Sequence, residues 1–373
     1  MMAAYLDYNA TAPMKPEVLA AMHEALRVGG NPSSVHQWGR NARRMVETAR
    51  REVAQLVNVR PEQVVFTSGG TEANHLALQG MSVQSIFASA IEHASVVSDR
   101  VPVQTLPVTP DGRVDLGALE TVLANAPGPK LVAVMLANNE TGVIQPVVDV
   151  TRIAHGKSVL VHCDAVQALG KIPVDFAVLD VDSMALSAHK IGGPTGVGAL
   201  ILRENIALSP VFTGGGQELR RRAGTENVAG IAGFGVAANL ASNDLGRADA
   251  WSGWRNQLEA RLKSIAPESV IWGEKVLRLP NTSCVSLPGI KAEIQVMALD
   301  LAGVGVSAGS ACSSGKVGRS HVLAAMGASL VEAESAIRVS MGWNTKAADI
   351  DCLIDAWEML WRRVRLAASA KAA

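Results

Sequence analysis

From "EQVVFTSGGTEANHLAL" to "VGALIL", short and continuously apolar runs alternate with stretches of helical spacing. The runs "SIFASAIEH", "KLVAVMLANNE", "SVLVHCDAVQ", "SMALSAHK" and "VGALIL" read as strands or strand ends. A strand that is apolar on both sides is covered on both faces, the condition of a mostly parallel sheet in an α/β domain. Ahead of these runs, Ala42, Val46, Ala49, Val53, Leu56 and Val57 recur at helical spacing in "NARRMVETARREVAQLV". They predict an amphipathic helix whose Arg/Glu face is solvated.

The texture changes after about residue 246. "RADAWSGWRNQLEARLKSIAP" predicts a helix and "TSCVSLPG" an isolated strand, and the chain closes on a long helix. In that helix Ile350, Leu353, Ile354, Trp357, Leu360, Trp361 and Val364 share one face, and Cys352 points away from it. The expected organisation is a large domain over residues 16–246 and a smaller α+β domain built from residues 1–15 and 247–373.

A length of 373 residues agrees with two domains. A formal net charge of zero, with 18% charged residues, lacks the electrostatic footprint of a nucleic-acid binder and favours small-molecule chemistry. The start "MMAAYLDYNATAP" has no basic segment and carries Asp7 where a signal peptide would be apolar. Val228 to Ala241 is interrupted by Asn239 and falls short of the ~20 apolar residues of a membrane span. A cytoplasmic protein without membrane attachment is expected. Cys163, Cys284, Cys312 and Cys352 stand far apart with no CxxC pair, which argues against a metal site and a disulfide framework.

In open parallel sheets ligands collect at the carboxyl ends of the strands. "VVFTSGGTEAN" ends a strand in two glycines and starts a helix, offering backbone N–H groups, Gly70 and the Thr71 hydroxyl to a phosphate. The same residues would also serve as an ordinary helix cap. "SAIEHAS" leaves His93 at a strand end, "ANNETG" leaves Asn138, Asn139 and Glu140, and "VHCDAVQALGK" leaves Asp164 and Gln167. "ALSAHKIGGPTGVGAL" adds Ser187, His189 and Lys190 before a Gly-rich turn. A lone lysine there could snorkel to the surface. A phosphate cradle, a carboxylate and a lysine at neighbouring strand ends instead match the needs of pyridoxal phosphate: an anchor, a partner for the ring nitrogen and an amine to hold it.

At these residues the chain resembles the NifS/IscS-like cysteine desulfurases of the class V aminotransferase superfamily. The markers run in order from "YLDYNATAP" and "GNPSSVHQWGR" through "VFTSGGTEANHLA", "ANNETGVIQP", "HCDAVQALGK" and "SAHKIGGPTGVGAL" to "GGGQELRRRAGTEN", "GSACSSG" and "IRVSMG". The resemblance implies a fold-type I transferase: a large domain with a mostly parallel seven-stranded sheet, plus the smaller α+β domain. It implies that Lys190 carries the cofactor, His93 stacks on its ring, Asp164 pairs with its nitrogen, and Gln167 and Asn139 hold polar ring atoms or substrate. It further implies a phosphate cup of Gly70, Thr71, Ser187 and His189, completed by Thr225 from the second subunit of a homodimer. Arg338 looks like the anchor of the substrate carboxylate, a role that suits a bidentate guanidinium.

Read alone, "SAGSACSSGK" favours a small, space-filling cysteine. Alongside Lys190, Cys312 becomes the expected nucleophile. The implied reaction converts L-cysteine to L-alanine, leaves a persulfide on Cys312 and passes the sulfur to an acceptor such as an iron–sulfur scaffold protein. A selenocysteine lyase or a PLP-dependent aminotransferase on the same fold is the alternative. The other three cysteines are expected to take no part in turnover. Arg220 to Arg222 could steer an acidic partner or form a solvated loop.

Overall fold

The computed structural model describes residues 4–97, 101–309 and 319–372. Seven strands form the main sheet in the order Val64–Thr67, Gly198–Leu202, Ser183–Ser187, Leu160–Asp164, Lys130–Met135, Ser85–Ser89 and Gln104–Leu106. Only Gly198–Leu202 runs antiparallel to its neighbours. The fold is therefore mixed α/β with a mostly parallel sheet, as the apolar runs predict, and its seven strands are the number that the resemblance implies.

Alternation explains why those runs are continuously apolar. Val132 and Val134 point into one hydrophobic cluster, Leu131 and Ala133 into the other. Met184 and Leu186 oppose Ala185 in the same way. Helix Gln37–Leu56 covers the first face through Val46, Ala49 and Val53. Helix Val228–Asp244 joins it there with Ile231, Phe234 and Ala241. Its apolar character thus serves packing, and no helix among the described residues is long and apolar enough to cross a membrane. At Gly235 a Cβ would lie 2.6 Å from Ala49 Cα, so glycine is what lets these two helices approach.

A second sheet, antiparallel throughout, has the order Ser307–Ala308, Ala336–Ser340, Thr282–Ser286 and Val270–Ile271. Helices Ala248–Ile265 and Ala347–Ala372 pack on it through Trp251, Leu258, Ile350, Leu353 and Trp357. The predicted apolar face of the last helix is the one that enters this core, and Cys352 is exposed. Ala4 and Leu6 enter the same cluster, and Ala4–Tyr5 pairs in parallel with Val304–Gly305. Residues 7–11 then run from this second core to the strand ends of the main sheet: Asp7 bridges Ser340, and Ala12 N donates to the His189 carbonyl.

Candidate active site

The carboxyl ends of the parallel strands surround a cavity of about 210 Å³. Gly70, Thr71, His93, Asn139, Asp164, Gln167, Ser187, His189 and Lys190 all line it. Helix Gly70–Gly80 presents its N-terminus there. A Cβ at Gly70 would fall 2.8 Å from Val166 Cγ2, so only glycine leaves the cradle open. Ser187 ends its strand opposite.

Asp164 ends strand Leu160–Asp164 and is 7% exposed. Its Oδ2 accepts from Asn74 Nδ2 at 2.8 Å and its Oδ1 from Val166 N at 3.0 Å. Asn74 Nδ2 also donates to Ser95 Oγ at 2.8 Å. Ser95 N donates to His93 Nδ1 at 3.1 Å, which makes that nitrogen an acceptor, so the Ser95 hydroxyl 2.8 Å away donates to it as well. The His93 proton therefore sits on Nε2. Behind Asn74, Oδ1 faces His162 Nε2 at 2.9 Å, and His162 Nδ1 faces Ser183 Oγ at 2.8 Å. One buried chain thus joins Ser183, His162, Asn74, Ser95 and His93, with Asp164 attached at Asn74.

Burial keeps the imidazoles of this wall neutral. It pushes His162 down to about 4 and lowers His93 as well. His189 is pushed down to about 4 by burial, reinforced by Lys190 and Lys171. Glu92, fully buried with Ser89 Oγ and Met135 N as partners, is pushed up to about 8 by desolvation.

Lys190 lies in the turn Ala188–Lys190, and its Nζ donates to the carbonyls of Asn9 and Ala10 at 2.6 and 2.8 Å. The Asn9 carbonyl also accepts from Gln167 Nε2 at 2.9 Å. Asn9 Nδ2 donates to the Asn139 carbonyl and to Thr282 Oγ1, which ties the strap to both sheets.

Four sequence expectations fall outside this cavity. Arg338 is 2% exposed and does not line it: Nη2 donates to Asp7 Oδ1 at 2.7 Å and Nη1 to the Asn139 carbonyl at 3.1 Å. Arg338 Nε is buried without a partner among the described residues. Thr225 is exposed and lines a separate cavity of about 170 Å³. Asn138 is a structural residue whose Oδ1 accepts from Glu140 N and Thr141 N. Glu140 is held by Ser320, whose Oγ donates to Oε2 at 2.6 Å, and burial pushes its carboxyl up to about 7. Cys312 lies outside the described residues. Cys163 and Cys284 are buried, and desolvation raises both thiols.

The arginine cluster is largely committed. Arg222 Nε donates to Glu72 Oε1 at 2.8 Å, and Arg221 Nη1 donates to the Glu62 carbonyl. Arg50 grips Glu218 with two 2.8 Å bonds. These contacts hold the segment that presents Thr225.

Sequence reasoning overlooked Asn74, Ser95, His162 and Lys171 as parts of the site, and left Asn9 without a role. A signal did exist for two of them. Asn74 follows Thr71 by three residues on one helix, and His162 precedes Asp164 by two on one strand, so each shares a face with a chosen residue.

The residues fit pyridoxal phosphate: a helix N-terminus left open by Gly70, a buried carboxylate held in place by Asn74, and a lysine amine face one cavity. A parallel α/β sheet carrying that set defines an enzyme of the pyridoxal phosphate class. The chain belongs to the aminotransferase class-V family, whose profile matches residues 4–353, and pyridoxal phosphate is its cofactor. It is 42% identical to a cysteine desulfurase of Cereibacter sphaeroides over 94% of each chain. It is 37% identical to cysteine desulfurase IscS of Dictyoglomus turgidum over 97% of this chain and 95% of that one. The solved NifS-like protein of Rickettsia africae superposes with a TM-score of 0.89 at 36% identity, covering 96% of this chain and 99% of the other.

Proposed function

We propose that this chain is a pyridoxal phosphate-dependent cysteine desulfurase. L-cysteine and the Cys312 thiol become L-alanine and a Cys312 persulfide: the substrate C–S bond breaks, an S–S bond forms, and the thiol proton replaces sulfur on carbon. The observation that carries the reading is the convergence of Lys190, Asp164 and the Gly70–Thr71 helix start on one cavity in a chain so similar to named desulfurases.

When bound, the cofactor supplies an electron sink for the substrate Cα. Gly70, Thr71, Ser187 and His189 hold its phosphate, and Thr225 of a second subunit completes the cup. Asp164, fixed by Asn74, places negative charge at the ring nitrogen. His93 offers a neutral ring face, with its proton placed on Nε2. Lys190 would hold the cofactor, and its amine would move the Cα proton. Asn139 and Gln167 orient polar groups, and Arg338 binds the substrate carboxylate. Asp7 pre-orients that guanidinium, whose buried Nε has no partner among the described residues.

The enzyme acts in the cytoplasm as a homodimer and delivers its sulfur to an acceptor protein, such as an iron–sulfur scaffold. The division into a large domain of residues 16–246 and a small one of residues 1–15 and 247–373 is supported by the separate cores and by Ala4 and Leu6 in the second.

The test is incubation of the purified protein with L-cysteine and a reductant, with sulfide and alanine both measured. Cys312→Ala keeps the cofactor's visible absorbance and loses sulfide release, and Lys190→Ala loses both. Full sulfide release by Cys312→Ala would overturn the persulfide route.

A further inference from the structure

Lys171 is a buried amine with no part in the chemistry above. It is 5% exposed, and its Nζ donates to Gln167 Oε1 at 2.7 Å and to Asn9 Oδ1 at 2.8 Å. We infer that Lys171 is a positioning residue that fixes the Gln167 side-chain amide with its oxygen turned away from the cofactor cavity, so that Gln167 meets the cofactor only as an N–H donor.

An amide side chain can present either end to a neighbour, and its surroundings decide which. A lysine ammonium has three donors and no acceptor, so the end of Gln167 that faces Lys171 must be the oxygen. The other end meets the Asn9 carbonyl, which can only accept, at 2.9 Å from Nε2. Two independent neighbours thus select the same orientation. One Nε2 hydrogen goes to Asn9, and the second has no protein partner among the described residues, on a side chain that lines the cavity.

Asn9 is held in the same sense. Its Oδ1 takes the Lys171 bond, and its Nδ2 donates to the Asn139 carbonyl and Thr282 Oγ1. Lys171 therefore also steadies the residue whose carbonyl receives Lys190 Nζ. Burial, reinforced by the charges of Lys190 and Arg338, holds the Lys171 amine well below its ordinary value. A neutral amine can still donate both hydrogen bonds, and in that state the Asn9 carbonyl, which can only accept, is the neighbour that selects the orientation of Gln167.

The inference rests on the pyridoxal phosphate reading and predicts a spectroscopic effect. Were the remaining Gln167 N–H to meet the cofactor's phenolic oxygen, it would stabilise that oxygen as an anion and make the bond to Lys190 harder to protonate. The other ionisable groups facing Lys171 or Lys190 are Arg338, His189, His93 and Asp164, with both imidazoles lowered. The measurement is the pH titration of the visible absorbance of the cofactor-loaded protein without substrate, for wild type, Lys171→Met, Gln167→Ala and the double variant. Lys171→Met raises the midpoint by about one pH unit. In the Gln167→Ala background the same change adds less than about a third of that, because Lys171 acts through Gln167. An equal shift in both backgrounds, or none in either, overturns the inference. Lys171→Gln, which keeps a donor, gives a smaller shift with the same coupling and serves as the second variant should the methionine fail to fold. Absence of cofactor absorbance in the wild type would overturn the underlying reading itself, and this one with it.

Discussion

The two sheets around the site are built on opposite electrostatic plans. The wall at the main sheet surrounds Asp164 with imidazoles that burial keeps neutral, two of which, His93 and His162, are joined in one chain of hydrogen bonds. The second sheet contributes an ion pair that lies outside the cavity lining: Arg338, on strand Ala336–Ser340, meets Asp7 of the N-terminal segment. On the proposed function, neutral partners would leave Asp164 to set the charge facing a ring cation. A preformed ion pair instead orients a guanidinium while leaving it able to exchange one carboxylate for another.

The comparison is sharpest where one side of it is removed. Asp164→Ala lowers kcat by about 10²–10³-fold, the range for losing one preorganised charge partner, with a smaller change in KM. Arg338→Lys raises the KM for L-cysteine by about 10–100-fold and leaves the visible absorbance of the bound cofactor unchanged, because a point charge cannot replace the fork. Steady-state kinetics beside absorbance spectra check both. If the two variants changed kcat and KM in the same proportion, the division of labour between the sheets would be lost.

The smallest effect concerns stability. Glu92 titrates near 8 in the folded chain against an ordinary 4.5, so between those values the native state holds a proton that the unfolded state has released. Stability from this group is full below pH 4.5 and declines as the pH rises to 8. His162 works in the other direction: its contribution is full above 6.5 and declines as the pH falls to about 4. Glu92→Gln should remove the first decline alone, a change of about 3–4 kcal/mol between pH 5 and pH 8. Denaturant melts across that range check it, and an unchanged slope would show that Glu92 is ionised in the native protein.

Local pattern carried the architecture further than it carried the site. Buried parallel strands announce themselves because both faces need apolar residues, and the last helix because Ile350, Leu353 and Trp357 recur at its own period. Polar strand ends such as Asp164 and Lys190 were legible for the same reason: a charged residue directly after a buried run has few other places to be. Asn74, His162 and Lys171 were harder to read: the first two are marked only by sharing a face with Thr71 and Asp164, and nothing local to Lys171 shows which residues it meets.

The chain alone thus determined the order of strands and helices, the amine, the carboxylate and the glycine-marked helix start, all consequences of short-range periodicity and residue chemistry. Only the tertiary structure decided that Asn9, more than a hundred residues away in sequence, meets Asn139, Gln167, Lys171 and Lys190. It alone decided, too, that Arg338 is held by Asp7 and that Thr225 faces a different cavity. Hydrogen bonds between distant segments leave no period in the sequence. Their partners are selected by packing two sheets around one strap.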